Sequence, residues 1–300
     1  MANIIDYVEW RGDLNLNKTE FNEIDSLILN RFSYFPLDNL INKNEMVSIM
    51  LRDPNADVII VDPEREDSKL VKALGGEVIH ISATSDNHIN AMDMNSDYGD
   101  GANPVILKSE FILSLCEQLI GSNNLGAKQK SIIDRCTASV YRYYQQGNYQ
   151  GTPPTLQDFY EELLKQKEPE AKEIALAIEL FVNGSLNTFA KSTNVDTNNR
   201  LICYDILDLG KQLLPIGMLV VLDSILNRIT MNRAKGRNTF IFIDEIYLLF
   251  QYEYSANFLF TLWKRVRKYR GILHAVSLKM WKICYRVIRL ELCLQTVNLL

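Results

Sequence analysis

The chain has 300 residues, 47% hydrophobic and 23% charged, which is enough apolar material for a large core and rules out disorder or a collagen-like repeat. The formal net charge of −5 is uneven: nine Lys/Arg and one acid, Glu291, follow Trp263, leaving +8 there and −13 before it. Five cysteines (Cys116, Cys136, Cys203, Cys284, Cys293) form no C-x-x-C pair and only three histidines could join them, which argues against a disulfide framework or a zinc site and for a reducing compartment.

Met1 to Asp6 lacks a basic region followed by an apolar run, and the longest apolar stretch, Leu213 to Leu222, contains Pro215 and Gly217, so neither a signal peptide nor a membrane span is expected. A helix starts near Lys43. From Asp57 the pattern alternates. Asp57-Val58-Ile59-Ile60-Val61 is a short β-branched run that reads as a buried strand, Ser68 to Leu74 is a short helix stopped by Gly75-Gly76, and Glu77-Val78-Ile79-His80-Ile81 is a second strand. This is the grammar of a parallel sheet with crossover helices.

Between Asn103 and Ala190 helical periodicity takes over. Phe111, Ile112, Leu115 and Leu119 mark one apolar stripe; Ile132, Ile133, Val140 and Tyr143 mark another. Gly147 to Pro154 breaks the pattern, Thr155 with Asp158 forms a capping box, and Pro169 fits a first helical turn. Strand and helix then alternate again: strand Ile202 to Ile206, an amphipathic helix from Lys211 to Asn232, strand Thr239-Phe240-Ile241-Phe242-Ile243, and a helix opening near Ser255 that buries Phe258, Leu262, Trp263 and Val266.

An apolar strand that delivers Asp244-Glu245 to the carboxyl end of a parallel sheet is the Walker B arrangement, in which the aspartate holds a magnesium-bound water and the glutamate orients or deprotonates the attacking water. Solvated acids also end many ordinary strands. Four segments extend the pattern: Ile243 to Phe250 with Leu262-Trp263-Lys264-Arg265; Ile60-Val61-Asp62-Pro63-Glu64 with Leu74-Gly75-Gly76; Ile89 to Asn95; and Asp208-Leu209-Gly210-Lys211-Gln212. Together they resemble the conjugative-transfer ATPases of the VirB/TraE type that energise type IV secretion, over about residues 43–272.

The resemblance implies an α/β fold with a P-loop NTPase (RecA-like) parallel sheet and an inserted all-helical subdomain, incomplete at both ends. The expected division is a foreign segment 1–42, an ATPase core of 43–102 and 195–272, a helical subdomain 103–194, and a tail 273–300. The resemblance also implies ATP and Mg2+ as cofactors, Asp244 on the metal, Glu245 as catalytic base, a homo-hexamer docked on type IV secretion channel components, and a cytoplasmic location at the inner face of the membrane through those partners. Glu64 would face the nucleotide, or else cap a turn. Arg265 and Arg267 would contact DNA or a neighbouring subunit, or else form the solvated last turn of a helix. Tyr141, Tyr143, Tyr144 and Tyr149 would stack bases or pack the subdomain. No carboxylate or cysteine constellation accompanies His80 or His88 in the sequence, and both read as surface or strand residues.

The Walker A loop of this family is missing. None of the fourteen glycines begins G-x-x-x-x-G-K-[ST], and the residues before the first helix read Phe35-Pro36-Leu37-Asp38-Asn39-Leu40-Ile41-Asn42. Ile5 to Leu14 and Phe21 to Leu29 resemble the opening of lipase-like α/β-hydrolase proteins, without that fold's G-x-S-x-G elbow.

After Ile272 the family would continue with a strand and then Val-Glu-Asp-Leu-Leu. Regrouping codons by one base reads Met280/Trp281 as Val, Trp281/Lys282 as Glu, Lys282/Ile283 as Asp or Asn, Ile283/Cys284 as Leu or Met and Cys284/Tyr285 as Leu. Residues from about Leu273 are therefore expected to be a frameshifted translation. The functional expectation is a truncated, inactive secretion ATPase. The alternatives are a non-catalytic subunit of such a hexamer and a lipase-like hydrolase fragment.

Overall fold

The computed structural model describes residues 40–98, 103–121, 124–243, 260, 265–266, 268–269 and 271–275. A five-stranded sheet of β1 (Asp57–Asp62), β2 (Glu77–His80), β3 (Leu201–Asp205), β4 (Thr239–Ile243) and β5 (Gly271–Ala275) forms the centre, in the order β2-β3-β1-β4-β5. All pairings are parallel: Val58 is level with Leu201 and Phe240, and Phe240 with Ile272. β1 is buried along its whole length, which is why its sequence is a continuous apolar run rather than an alternation. β5 crosses Leu273, where the sequence reading places the change of frame.

Helices α1 (Leu40–Arg52) and α2 (Ser68–Ala73) cover one face, where Met46, Val47, Ile49, Leu70 and Val71 pack on Val58, Ile60, Cys203 and Phe242. α2 ends at Gly75, whose φ of +75° suits glycine, and a Cβ on Gly76 would lie 2.6 Å from the Leu201 side chain, so this turn needs both glycines.

The helical subdomain comprises α3 (Pro104–Ile120), α4 (Ala127–Gln146), α5 (Leu156–Lys165) and α6 (Pro169–Val182). Two of its local signals are confirmed, since Thr155 and Asp158 form the capping box of α5 and Pro169 opens α6, and Asn103 also caps α3 by accepting from Val105 N. One stripe needs correction. Tyr143 is 83% exposed, and Tyr141 takes the buried place on α4, its hydroxyl donating to Met92 O at 2.5 Å.

The opposite face of the sheet is covered by α7 (Gly210–Ala234), which also touches α3. The sequence suggests an amphipathic helix there, but α7 is buried on nearly every side because it is wedged between the sheet and the subdomain. Pro215 does not interrupt it, being close enough to the start that only one carbonyl, that of Lys211 in the first turn, loses its donor. Gly217 serves as a contact point: a Cβ there would lie 2.3 Å from Leu209. By length and composition α7 is the one described helix apolar enough to cross a membrane, and 83% of that stretch is buried in the core.

Candidate functional site

Strands β1, β2 and β3 end in Asp62, His80 and Asp205, and parallel pairing brings all three to the carboxyl edge of the sheet, with Asp62 level with Asp205 and His80 level with Asp205. Ligands of open parallel sheets bind at this edge. Asp62 is fully buried and accepts from the backbone N–H groups of Glu66 (3.0 Å) and Asp67 (2.9 Å), which closes the loop after β1 into a tight turn. Burial pushes its carboxyl above the usual range, the nearby Asp205 charge adds to the rise, and the backbone donors oppose it.

Arg65 sits in this turn at φ +60°, the left-handed region an arginine seldom adopts. Its Nε donates to Asp205 Oδ2 and its Nη2 to Asp208 Oδ2, both at 2.5 Å, and Nη2 lies 3.1 Å from His80 Nδ1. His80 reaches the same carboxylates, at 3.3 Å to Asp205 and 3.4 Å to Asp208. The guanidinium beside Asp208 holds that exposed carboxyl below the usual range, and the carboxylates in turn keep Arg65 firmly protonated. The expectation that His80 has no carboxylate constellation is therefore overturned. The partners come from β3 and the turn after it, more than a hundred residues away, but three polar residues closing three parallel strands are a signal that strand register alone could have exposed.

The site residues named from the sequence fare unevenly. Asp244, Glu245 and Arg267 lie outside the described residues, although Ile243 at the end of β4 is level with Val61, one residue short of Asp62. Glu64 is exposed between Asp62 and Arg65 at the carboxyl edge. Arg265 is half-buried and near enough to influence the phenols of Tyr98 and Tyr269. Among the described residues no three His, Cys, Asp or Glu side chains are set to hold a metal ion. His80, Asp205 and Asp208 face a guanidinium, and both oxygens of Asp62 are taken by backbone donors, so the described edge does not fit magnesium or a triphosphate.

The motif Ile89 to Asn95 is a junction between subdomain and core. Asn90 donates to Asp93 (3.0 Å) and to Pro154 O (2.9 Å), the Thr193 hydroxyl donates to Asp93, Tyr144 donates to Met94 O (3.0 Å), and Asn95 holds Asn227 on α7. Of the four candidate stacking tyrosines, Tyr141 is spent in this junction, and Tyr144 and Tyr149 pack edge to face at 5.7 Å. Beneath it, Lys108 of α3 is completely buried and donates to Asp223 of α7 (2.5 Å) and Asp93 O (2.9 Å), while the Tyr98 hydroxyl donates to the other Asp223 oxygen. Its ammonium also lies 4.5 Å from the Phe111 ring centre.

Among solved structures, VirB4 of Thermoanaerobacter pseudethanolicus superposes with a TM-score of 0.66 at 21% identity, covering 82% of this chain and 94% of that one. The chain has the VirB4 fold. That fold accounts for the parallel sheet. No family model and no curated protein matches the sequence.

Proposed function

We propose that the chain is a VirB4-like component of a type IV secretion system, descended from an ATPase that coupled ATP hydrolysis to export and channel assembly, and that it does not hydrolyse ATP. The observation that carries this reading is the combination of a VirB4 fold over most of the chain with a sequence that has no phosphate loop. Asp244 and Glu245 would be the remnants of the magnesium and water-activating pair, with Glu64 on the same edge. Without backbone N–H groups wrapped around the phosphates, two adjacent carboxylates repel a nucleotide more than they bind it. Calorimetric titration with Mg-ATP is expected to show no saturable heat, and micromolar affinity would overturn the proposal.

A second reading, a non-catalytic subunit that joins hexamers of intact homologues at the cytoplasmic face of the membrane, is favoured by the helical subdomain, which keeps its caps, its core and its polar junction with α7. Co-purification with an intact homologue tests it. The frame change near Leu273 belongs to the same proposal, and coding DNA whose alternative frame does not continue the family sequence would dispose of it.

A further inference from the structure

We propose that the carboxyl edge of the sheet carries a proton-driven exchange of partners: when His80 takes up a proton it replaces Arg65 on Asp208, which unfastens the turn after β1 from the turn that starts α7. The exchange belongs to the folded chain alone and stands whether or not a nucleotide binds. Its basis is a pair of shared acceptors. Asp205 Oδ2 accepts from Arg65 Nε at 2.5 Å and lies 3.3 Å from His80 Nδ1, while Asp208 Oδ2 accepts from Arg65 Nη2 at 2.5 Å and lies 3.4 Å from His80 Nε2. One oxygen of each carboxylate therefore serves both side chains.

Arg65 Nη2 also lies 3.1 Å from His80 Nδ1. A guanidinium nitrogen can only donate, so Nδ1 accepts, and the neutral ring carries its hydrogen on Nε2, directed at Asp208. In that state two carboxylates face one guanidinium and one negative charge is left over. A proton on Nδ1 supplies the missing positive charge, but it turns that atom into a donor facing a donor, so one of the two side chains must withdraw. His80 is anchored: its strand pairs with β3, and its carbonyl accepts from Ser85 Oγ at 2.9 Å and Asn87 Nδ2 at 3.1 Å. Arg65 projects from a surface turn with its backbone at φ +60°, and Asp62 holds the rest of that turn through the N–H groups of Glu66 and Asp67, so the guanidinium is the part that moves. Among the described residues the imidazole bonds to Arg65, Asp205 and Asp208 only; Glu64 of the same turn, Lys69 and Lys72 of α2, and Asp86 of the loop after β2 are the other charged groups on the segments around it, and none is bonded to the ring. Asp208 stands two residues before Gly210, where α7 begins, and α7 carries the Asn227 and Asp223 contacts to the Ile89 to Asn95 junction and to α3. The charge on one imidazole thus reaches the joint between sheet and helical subdomain.

Histidine ordinarily changes charge between about pH 5 and 8. Asp208 stays ionised across that window, because the guanidinium beside it holds its carboxyl below the usual range. Two measurements on the full chain test the exchange. Nitrogen-15 NMR of the three histidines, assigned by replacing each in turn with glutamine, should show His80 as the Nε2–H tautomer at about pH 8 and doubly protonated at about pH 5.5. A double-mutant cycle of Arg65→Gln and Asp208→Asn, read from urea unfolding, should find the pair coupled about fivefold in the unfolding constant at the higher pH and uncoupled at the lower. In a His80→Gln background the coupling should be the same at both. An Nδ1–H tautomer, an imidazole that stays neutral, equal coupling at both pH values in the wild type, or a pH-dependent coupling that survives His80→Gln would each overturn the proposal. Should a variant of the cycle fail to fold, the tautomer and titration of His80 in the wild type decide.

Discussion

Replacing Lys108 with methionine removes the cation that pairs with Asp223. Met fills nearly the same volume, so the substitution isolates charge from packing. In the native protein the Asp223 carboxylate accepts from Lys108 and Tyr98 in a site with no solvent access, and burial already pushes its carboxyl up against the pull of the lysine. Deleting one member of a buried pair leaves the other charged and unsolvated, a cost of about 3–5 kcal/mol. The Asp93 carbonyl also loses its donor. Urea unfolding followed by circular dichroism should register most of that loss. Two controls give the experiment its sign. Lys108→Met combined with Asp223→Leu should recover most of the stability, since an apolar pair of similar size is about neutral relative to a buried ion pair. The destabilisation of the single variant should also shrink as pH falls, because protonation of Asp223 removes the stranded charge. A loss below about 1 kcal/mol for the single variant, or a double variant as unstable as the single, would show that the network is not what couples α3 to α7.

Arg65→Gly and Arg65→Ala both remove the two contacts to Asp205 and Asp208, but only glycine relieves the left-handed backbone; chemical denaturation should find both destabilised, with Gly above Ala by about 1 kcal/mol. Burial pushes the Cys116 thiol up to about 12 and the Cys136 thiol up to about 11, so neither should react with a disulfide reagent in the folded protein, and both should react at once in urea, as mass spectrometry of labelled peptides can show. Asp62, Asp93 and Asp223 have carboxyls raised by burial, so the native state holds their protons more tightly than the unfolded chain, and their contribution to stability falls as pH rises through the folded values. Melting midpoints are therefore expected to be no lower at about pH 5 than at about pH 7, and Asp62→Asn should flatten the slope.

The parts of this fold that were legible in the sequence are those decided locally. A run such as Asp57 to Val61 has one low-energy use, and Thr155 with Asp158 fixes a helix start within three residues. The misread features depend on distant neighbours. α7 looks amphipathic until α3 covers its polar-looking flank, and Tyr143 and Tyr141 exchange places because a two-residue difference on a helix turns a side chain to the opposite side. At the candidate site, Asp62 and Glu64 could be placed from their strand, whereas Arg65 meets Asp205 only because β3 returns beside β1 after the helical subdomain.

The central position of β1 has a consequence for how the chain emerges from the ribosome. Val58 must wait for Leu201, 143 residues later, for its first strand partner and for Phe240 for its second. The helical subdomain between them has near neighbours throughout and can form as soon as it is made. During that interval a strand that ends up buried along its whole length has two unpaired edges. Synthesis that stalls before Phe240 would release a chain with a finished helical bundle and an adhesive strand, so solubility here is set by the order of translation as much as by the final contacts.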